Sequence, residues 1–174
     1  IPLFTVNSSG VVIVGAYNTI AELSPNKLGE VVLSPLKFDS RIKFGQIKKI
    51  ETYRNKILFS TDISFFVYDK NLEEIYTDHG HIDFFRVNDK IFILSAYHGF
   101  LEYTENGIIE PENYKVLNCE NIKSIIPNND YFIVISEDDI YSVNTSGILF
   151  KNSDIKKRLS GDFITTAIKL SDNK

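Results

Sequence analysis

The sequence predicts an all-β chain, namely a β-propeller fragment of about four four-stranded antiparallel blades plus the first strand of a fifth. Three observations predict it. Short apolar runs rich in Phe, Tyr, Ile and Val alternate with turn residues, which is typical of many short strands. The runs recur along the chain, and almost none has the period of a helix. The second run of each repeat is apolar almost throughout, as expected of a strand that neighbouring blades cover on both faces.

The repeat is clearest as a turn followed by an apolar strand. Its copies are Ser9–Val14, Asn55–Ser60, Asp89–Ser95 and Asp130–Ser136. Matched turn positions lie roughly 45, 34 and 41 residues apart, close to the period of four-stranded blades. A further copy begins at Ile168. The repeat therefore predicts blades at about 1–43, 44–79, 80–119 and 120–160, and the start of another at 161–174.

Turn residues divide each repeat into strands, because Asn, Asp and Gly tolerate the left-handed backbone of tight turns. The first repeat opens on a predicted strand at Leu3–Val6. The second is predicted to contain Ile47–Tyr53, Lys56–Ser60, Phe65–Asp69 and Glu73–Thr77. The third is predicted to contain Phe84–Val87, Lys90–Ser95, Phe100–Thr104 and Ile108–Glu110. The fourth is predicted to contain Ile122–Ile126, Tyr131–Ser136, Ile140–Asn144 and Ile148–Lys151. We expect negligible helix.

The second and third strands carry a more specific pattern. The run Ile57–Thr61 followed by Phe65–Asp69 resembles the repeat of the two-component regulator propellers, an apolar strand, a small residue or Thr, and a Tyr-Asp ending. Gly99–Tyr103 matches its second half closely, and Asp139–Asn144 matches it loosely. This resemblance implies a sensing domain in the periplasm, joined in a longer parent protein to the rest of the propeller and to output domains.

Composition excludes several other classes of protein. The net charge of −4 argues against a nucleic-acid-binding segment, which needs a basic surface. The single Cys119 cannot form an internal disulfide. The sequence contains neither a glycine motif for nucleotides nor a nucleophile elbow, so we expect no cofactor and no catalysis. The acidic run at 137–139 is interpreted as a solvated turn.

Candidate binding residues lie in loops that a blade places on one face, the loop entering the first strand and the loop between the second and third strands. Loops carry specificity because strands are committed to packing. Tyr rings stack on sugars and amides, and Asn and Asp fix hydroxyl groups. The predicted ligand-binding residues are Tyr17, Asn18, Asp62, Tyr97, His98 and Asp138. The only three histidines, His79, His81 and His98, also fall in such loops, and three imidazoles would suit Zn²⁺.

These patterns predict a non-catalytic module that senses a ligand or partner, with an oligosaccharide as the expected nutrient ligand. Two alternatives remain open. A propeller enzyme of the lyase or glycosidase type would need paired carboxylates or a metal at a central channel. A general protein-interaction propeller is not distinguished from a sensor by the sequence.

The number of predicted strands suggests that the propeller does not close within one chain. The chain starts near one first strand, Leu3–Val6, and stops near another, Thr165–Leu170, so four blades plus one strand are not expected to close alone. Open blade faces rich in Phe and Ile favour self-association into a homo-oligomer.

Overall fold

The computed structural model describes residues 1–87, 89–119, 122–128, 131–137, 139–144 and 147–151. They form four antiparallel sheets of four strands, each running in chain order. Sheet 1 contains β1 Leu3–Val6, β2 Val12–Ala16, β3 Thr19–Pro25 and β4 Val31–Pro35. Sheet 2 contains β5 Lys49–Tyr53, β6 Lys56–Ser60, β7 Ser64–Asp69 and β8 Asn71–Thr77. Sheet 3 contains β9 Ile82–Val87, β10 Lys90–Ser95, β11 Gly99–Thr104 and β12 Gly107–Ile109. Sheet 4 contains β13 Ile122–Asn128, β14 Tyr131–Ser136, β15 Ile140–Asn144 and β16 Gly147–Lys151.

The predicted all-β class and the four four-stranded sheets are confirmed. The apolar second strands β6, β10 and β14 have the bounds that the sequence predicts, and so do β1 and β15. The other predicted strands differ from the observed ones by one or two residues at one end, or by one residue at each end for β12. The predicted strand at 165–170 lies outside the described residues. None of the helices in the described part of the chain is long and apolar enough to span a membrane.

Tight turns form where the sequence places them. Arg54 and Asn55 both have positive φ, 46° and 64°, as a two-residue hairpin turn between β5 and β6 requires. Asn18 has a φ of 50° in the turn between β2 and β3. Asn adopts this left-handed backbone at little cost, so both Asn residues suit their turns.

One element departs from the expectation of negligible helix. Glu112–Cys119 forms a 3-10 helix between β12 and β13. Its first turn closes where the Tyr114 N–H donates to the Pro111 carbonyl at 3.0 Å. The Tyr114 ring then lies edge-on to Phe92 and Phe132, with both centroid distances 5.7 Å. The helix forms because it delivers this aromatic ring to a buried cluster.

The chain divides into two compact units. Unit 1 comprises Ile1–Phe84 with Ser95–Tyr97, and unit 2 comprises Phe85–Leu94 with the described residues from His98 onward. In unit 1 an apolar cluster between sheets 1 and 2 contains Ile13, Ile20 and Phe59, and the Phe59 ring is stacked on Phe66 at 4.9 Å. In unit 2 a second cluster lies between sheets 3 and 4. Each cluster lies between two sheets, so the buried core of each unit is the layer between stacked sheets.

Candidate functional site

The candidate site is one end of unit 1, where three strand-joining turns meet two inter-sheet connections. We call this region the turn end; it comprises residues 17–18, 44–48, 61–64, 78–82 and 95–97. Hydrogen bonds, described below, join each turn to the connection beside it. Every predicted site residue of unit 1 lies here.

The turn between β2 and β3 is fixed to the connection that leads into β5. The Asn18 N–H donates to the Gly45 carbonyl at 2.9 Å, and the Gly45 N–H donates to Asn18 Oδ1 at 2.7 Å. This reciprocal pair uses the Asn18 side chain for structure. Its neighbour Tyr17 is 68% exposed. Of these two predicted ligand-binding residues, Tyr17 is presented to solvent and Asn18 holds the turn in place.

The turn between β6 and β7 closes on itself. The Thr61 N–H donates to the Ser64 carbonyl at 2.9 Å, and Thr61 Oγ1 accepts from the Ser64 N–H at 3.1 Å. The Asp62 carboxylate forms an ion pair with Lys48 Nζ at 3.0 Å, with both side chains substantially exposed. Ile63 is 52% exposed. The turn therefore offers solvent one ion pair and one aliphatic side chain.

Two backbone hydrogen bonds fix this turn to the connection between β8 and β9. The Asp78 N–H donates to the Ile63 carbonyl at 2.8 Å, and the Ile82 N–H donates to the Asp62 carbonyl at 3.1 Å. The same connection then receives the next turn, since the Ala96 N–H donates to the His81 carbonyl at 3.1 Å. The three turns are thereby tied to one end of unit 1.

A buried carboxylate holds the turn between β10 and β11. Asp78 is buried and accepts hydrogen bonds from the Ser95 hydroxyl, from the Tyr97 N–H at 3.3 Å and from the His79 N–H at 2.6 Å. The Tyr76 hydroxyl donates to Ser95 Oγ at 3.0 Å and approaches the carboxylate at 3.5 Å. We call Asp78, Tyr76 and Ser95 the Asp78 cluster.

The cluster keeps Asp78 ionised. Burial alone would raise the pKa of this carboxyl, but the hydrogen bonds from Ser95 and from backbone N–H groups outweigh burial and hold the pKa below its ordinary value. Gly80 permits the close approach of the two chain segments. A Cβ at Gly80 would lie 2.7 Å from Ala96 Cβ and 3.1 Å from a Tyr97 ring atom. Tyr97 itself is 71% exposed, so an exposed ring stands on a fixed backbone.

The remaining predicted residues are placed as follows. His79, His81 and His98 are exposed. Within the described ranges, no three or more His, Cys, Asp or Glu residues form a group that could hold a metal ion, so these histidines do not form one. Asp138 lies outside the described residues.

The acidic run in the turn between β14 and β15 is not wholly solvated as expected. Asp139 is 8% exposed, and its Oδ2 lies 3.0 Å from Lys151 Nζ. The Asp139 N–H donates to Ser136 Oγ at 2.9 Å, and the Ser136 N–H donates to the Asp139 carbonyl at 2.9 Å. The Asp139 carboxylate, with Tyr141, raises the pKa of Lys151 above its ordinary value. The turn thus repeats the closure seen at Thr61 and Ser64.

Sequence reasoning missed the Asp78 cluster and the role of Asp139. One signal was available, because a hydroxyl residue follows the apolar part of the second strand in three repeats, as Thr61, Ser95 and Ser136. Ser and Thr at such positions commonly close turns onto nearby backbone groups.

No family model matches the chain, and no curated protein matches it, so the resemblance to two-component regulator propellers stays a prediction. Solved structures do match. Virginiamycin B lyase from Staphylococcus aureus matches with a TM-score of 0.61 and 17% identity, over 86% of this chain and 54% of that one. The N-terminal domain of Nup159 matches with a TM-score of 0.58 and 12% identity, over 88% of this chain and 45% of that one.

These identities are low, so the likeness concerns the fold. It confirms the predicted propeller-like architecture. The chain spans about half the length of the propeller chains that it matches. The two proteins differ in kind, since one is a lyase by name, and the fold alone therefore assigns no activity to this chain.

Proposed function

We propose that the chain is a non-catalytic binding module of a periplasmic two-component-type sensor, and that its turn end recognises an oligosaccharide. One observation carries the proposal. Tyr17 and Tyr97 expose 68% and 71% of their surface, and both stand on turns whose backbones are hydrogen-bonded to a neighbouring connection. A large ring on an immobile backbone loses little conformational freedom on binding.

Exposed polar groups of the turn end suit the same ligand class. The ion pair between Lys48 and Asp62 is accessible, with 45% and 66% of the two side chains exposed. A carboxylate accepts hydrogen bonds from hydroxyl groups, and an ammonium donates to them. Stacking on Tyr together with hydrogen bonds from an exposed ion pair is a combination that fits the apolar face and polar rim of a sugar.

One residue favours a protein partner as a second candidate. Ile63 is 52% exposed in the turn between β6 and β7, so the turn end also carries an exposed aliphatic side chain. Tyr is enriched at the centres of protein interfaces, where apolar neighbours exclude water from it. A protein-binding turn end would use all three side chains, whereas a sugar-binding one depends on the two rings.

Isothermal titration with a panel of oligosaccharides tests the proposal. We expect binding that Tyr17→Ala and Tyr97→Ala each weaken about tenfold, which corresponds to about 1.4 kcal/mol. Leu28→Ala is the matched control, since Leu28 is 83% exposed in the hairpin between β3 and β4 and lies outside the turn end.

Each other outcome contradicts a stated part of the proposal. Binding that neither Tyr substitution weakens would overturn the site. The absence of oligosaccharide binding would overturn the ligand class. Chromatography of the sugar after incubation with the protein detects any chemical conversion, and such conversion would overturn the non-catalytic assignment.

A further inference from the structure

Sheet 1 ends on a strand whose side chains are all exposed. β4 is the last strand of this sheet, and in the part of the chain that the structure describes it pairs with β3 alone. All five of its residues are exposed, with Val31 at 73% and Leu33 at 50%. A strand at the edge of a sheet presents a row of N–H and carbonyl groups to a further strand. The edge of β4 can therefore accept such a strand.

The register with β3 determines which backbone groups of β4 point outward. In an antiparallel pair, opposed residues alternate between pairs that exchange two backbone hydrogen bonds and pairs that exchange none. One residue after β4, the Leu36 N–H donates to the Ile20 carbonyl at 2.9 Å, so this is a bonded pair. By the alternation, Val31, Leu33 and Pro35 direct their backbone groups away from β3. Since proline has no N–H, the outward donors are those of Val31 and Leu33.

The last strands of the other three sheets each have a feature that discourages further pairing. β8 contains Glu73 and Glu74, β12 is three residues long, and β16 ends in Lys151. Charged side chains and short length are common means of protecting a sheet edge. β4 has no charged residue, begins with two valines, and has its one proline, Pro35, at its end. Of these four strands, β4 is the best suited to pair with another strand.

We propose that β4 pairs with β4 of a second copy of this chain, antiparallel and about a two-fold axis at Leu33. In this register the Leu33 N–H of each copy donates to the Leu33 carbonyl of the other, and the Val31 N–H donates to the Pro35 carbonyl. Both outward donors of each strand are thereby used. An axis at Pro35 would oppose two residues that lack an N–H, so the proline selects the register. The contact uses the same patch in both copies, as in most homodimers.

The same register also matches the side chains. Residues opposite one another in an antiparallel pair lie on the same face of the sheet and contact each other. Leu33 contacts Leu33 of the second copy, and Val31 contacts Pro35, so apolar surface is buried at every outward position. Because β4 carries no charge, the axis brings no like charges together. A second copy thus has both the donor spacing and the side-chain chemistry that this edge requires.

Sedimentation velocity between about 10 and 500 μM tests the proposal. Five residues from each copy make a small interface of the weak, transient class, so we expect a dimer with a Kd on the order of 100 μM. None of the five belongs to the turn end, so this test and the oligosaccharide titration succeed or fail separately.

Two substitutions at Leu33 should each weaken the dimer at least about tenfold. Leu33→Lys places like charges directly opposite each other. Leu33→Pro removes an N–H that the pairing with β3 does not use. Val6→Lys is the matched control, because Val6 is 56% exposed in the same register row as Leu33 but three strands away, and it should leave the dimer unchanged. Circular dichroism verifies that each variant keeps its β spectrum.

Cysteine cross-linking tests the register itself. In a Cys119→Ser background, which removes the chain's single cysteine, Leu33→Cys places two thiols on residues with Cα atoms about 5.5 Å apart, within the range of a disulfide. Val6→Cys places them seven inter-strand spacings apart, roughly 34 Å. We expect mild oxidation to give a covalent dimer with Leu33→Cys and none with Val6→Cys.

Three results would overturn the proposal. The first is a wild-type chain that stays monomeric up to about 500 μM. The second is a dimer that both Leu33→Lys and Leu33→Pro leave intact. The third is cross-linking of Val6→Cys in place of Leu33→Cys, which would show that the copies meet through sheet faces and not through the edges of β4.

Discussion

The turn between β6 and β7 and the turn between β10 and β11 both begin with a hydroxyl residue. The hydroxyl group bonds a different partner in each turn. Thr61 closes the first turn from within, through the N–H and carbonyl of Ser64. Ser95 occupies the equivalent position in the second turn, but its hydroxyl donates to Asp78 in the preceding connection. The side-chain closure of the first turn uses only its own residues, although the backbone N–H groups of Asp78 and Ile82 also donate to its carbonyls. A turn tied to a buried carboxylate depends on a connection formed 17 residues earlier.

This difference determines what each turn can present to a ligand. Around Thr61 the exposed groups are the Asp62 carboxylate and Ile63, whose side chains project from a locally stable loop. The Tyr97 side chain is exposed, and the backbone N–H of the same residue donates a hydrogen bond to the Asp78 carboxylate. The backbone of Tyr97 is therefore held by a buried, charged cluster, and changes in that cluster should affect both stability and binding.

The largest expected effect is that of Asp78→Ala. The substitution removes the acceptor of the Ser95 hydroxyl and of the His79 N–H and leaves the Tyr97 N–H with Ser95 Oγ alone, and a buried donor without a partner costs about 1–3 kcal/mol. We expect the free energy of unfolding to fall by about 3 kcal/mol. Urea titration followed by circular dichroism measures it. A loss no larger than that of Thr61→Ala would contradict the claim that the buried carboxylate contributes more to its turn than the Thr61 side chain contributes to its own.

Gly80→Ala should have the next largest effect. The added Cβ would lie 2.7 Å from Ala96 Cβ, which is closer than carbon atoms approach without a shift of the backbone. Overpacking of this kind costs about 1–3 kcal/mol, and we expect about 2 kcal/mol here. Gly10→Ala adds a methyl group with nothing within 4 Å and reports the backbone cost of a left-handed glycine alone. Gly80 does not have a positive φ, so a Gly80→Ala loss below about 1 kcal/mol would refute the close contact, whatever Gly10→Ala costs.

Thr61→Ala should destabilise the protein by about 1 kcal/mol, because it removes the three local hydrogen bonds of Thr61 Oγ1, two of them long at 3.4 Å, and leaves the backbone closure from Thr61 to Ser64 in place. Oligosaccharide affinity at Tyr97 should not change. A loss of affinity comparable to that of Tyr97→Ala would show that the self-closed turn controls the distant ring, contrary to the comparison.

The smallest expected effect is the dependence of the unfolding free energy on pH. The pKa of Asp78 in the folded protein lies below its ordinary value of 3.8, so ionised Asp78 stabilises the fold above that pH. This stabilisation is lost as the pH falls through the folded pKa. The difference in unfolding free energy between wild type and Asp78→Asn should therefore be constant near neutral pH and narrow below about pH 4. A difference that widens on acidification would mean that the pKa is raised instead.

The sequence predicts the strands well and the Asp78 cluster poorly, for a physical reason. Strand positions follow from local alternation and from Asn and Gly in turns, as at Asn55 and Gly107, whose φ angles are positive. The cluster depends on residues 17 to 19 positions apart in sequence, which come together only once β9 and β10 are paired. Tyr17 and Tyr97 are exposed as loop tyrosines should be, whereas the use of Asn18 as a structural hydrogen-bonding residue follows from contact with Gly45, 27 residues away.

Hydrogen exchange of the Tyr97 amide is the most direct measurement of whether Asp78 holds this turn. The Tyr97 N–H donates at 3.3 Å both to Asp78 Oδ2 and to Ser95 Oγ, whose hydroxyl Asp78 also accepts, and the Ser64 N–H donates to Thr61 Oγ1 at 3.1 Å within its own turn. In the Asp78→Ala variant, the Tyr97 amide should exchange much faster than in wild type. The Ser64 amide should exchange faster only by the factor that the lower global stability causes. Equal acceleration at both amides, or none at Tyr97, would contradict the claim that a buried carboxylate presents the exposed ring.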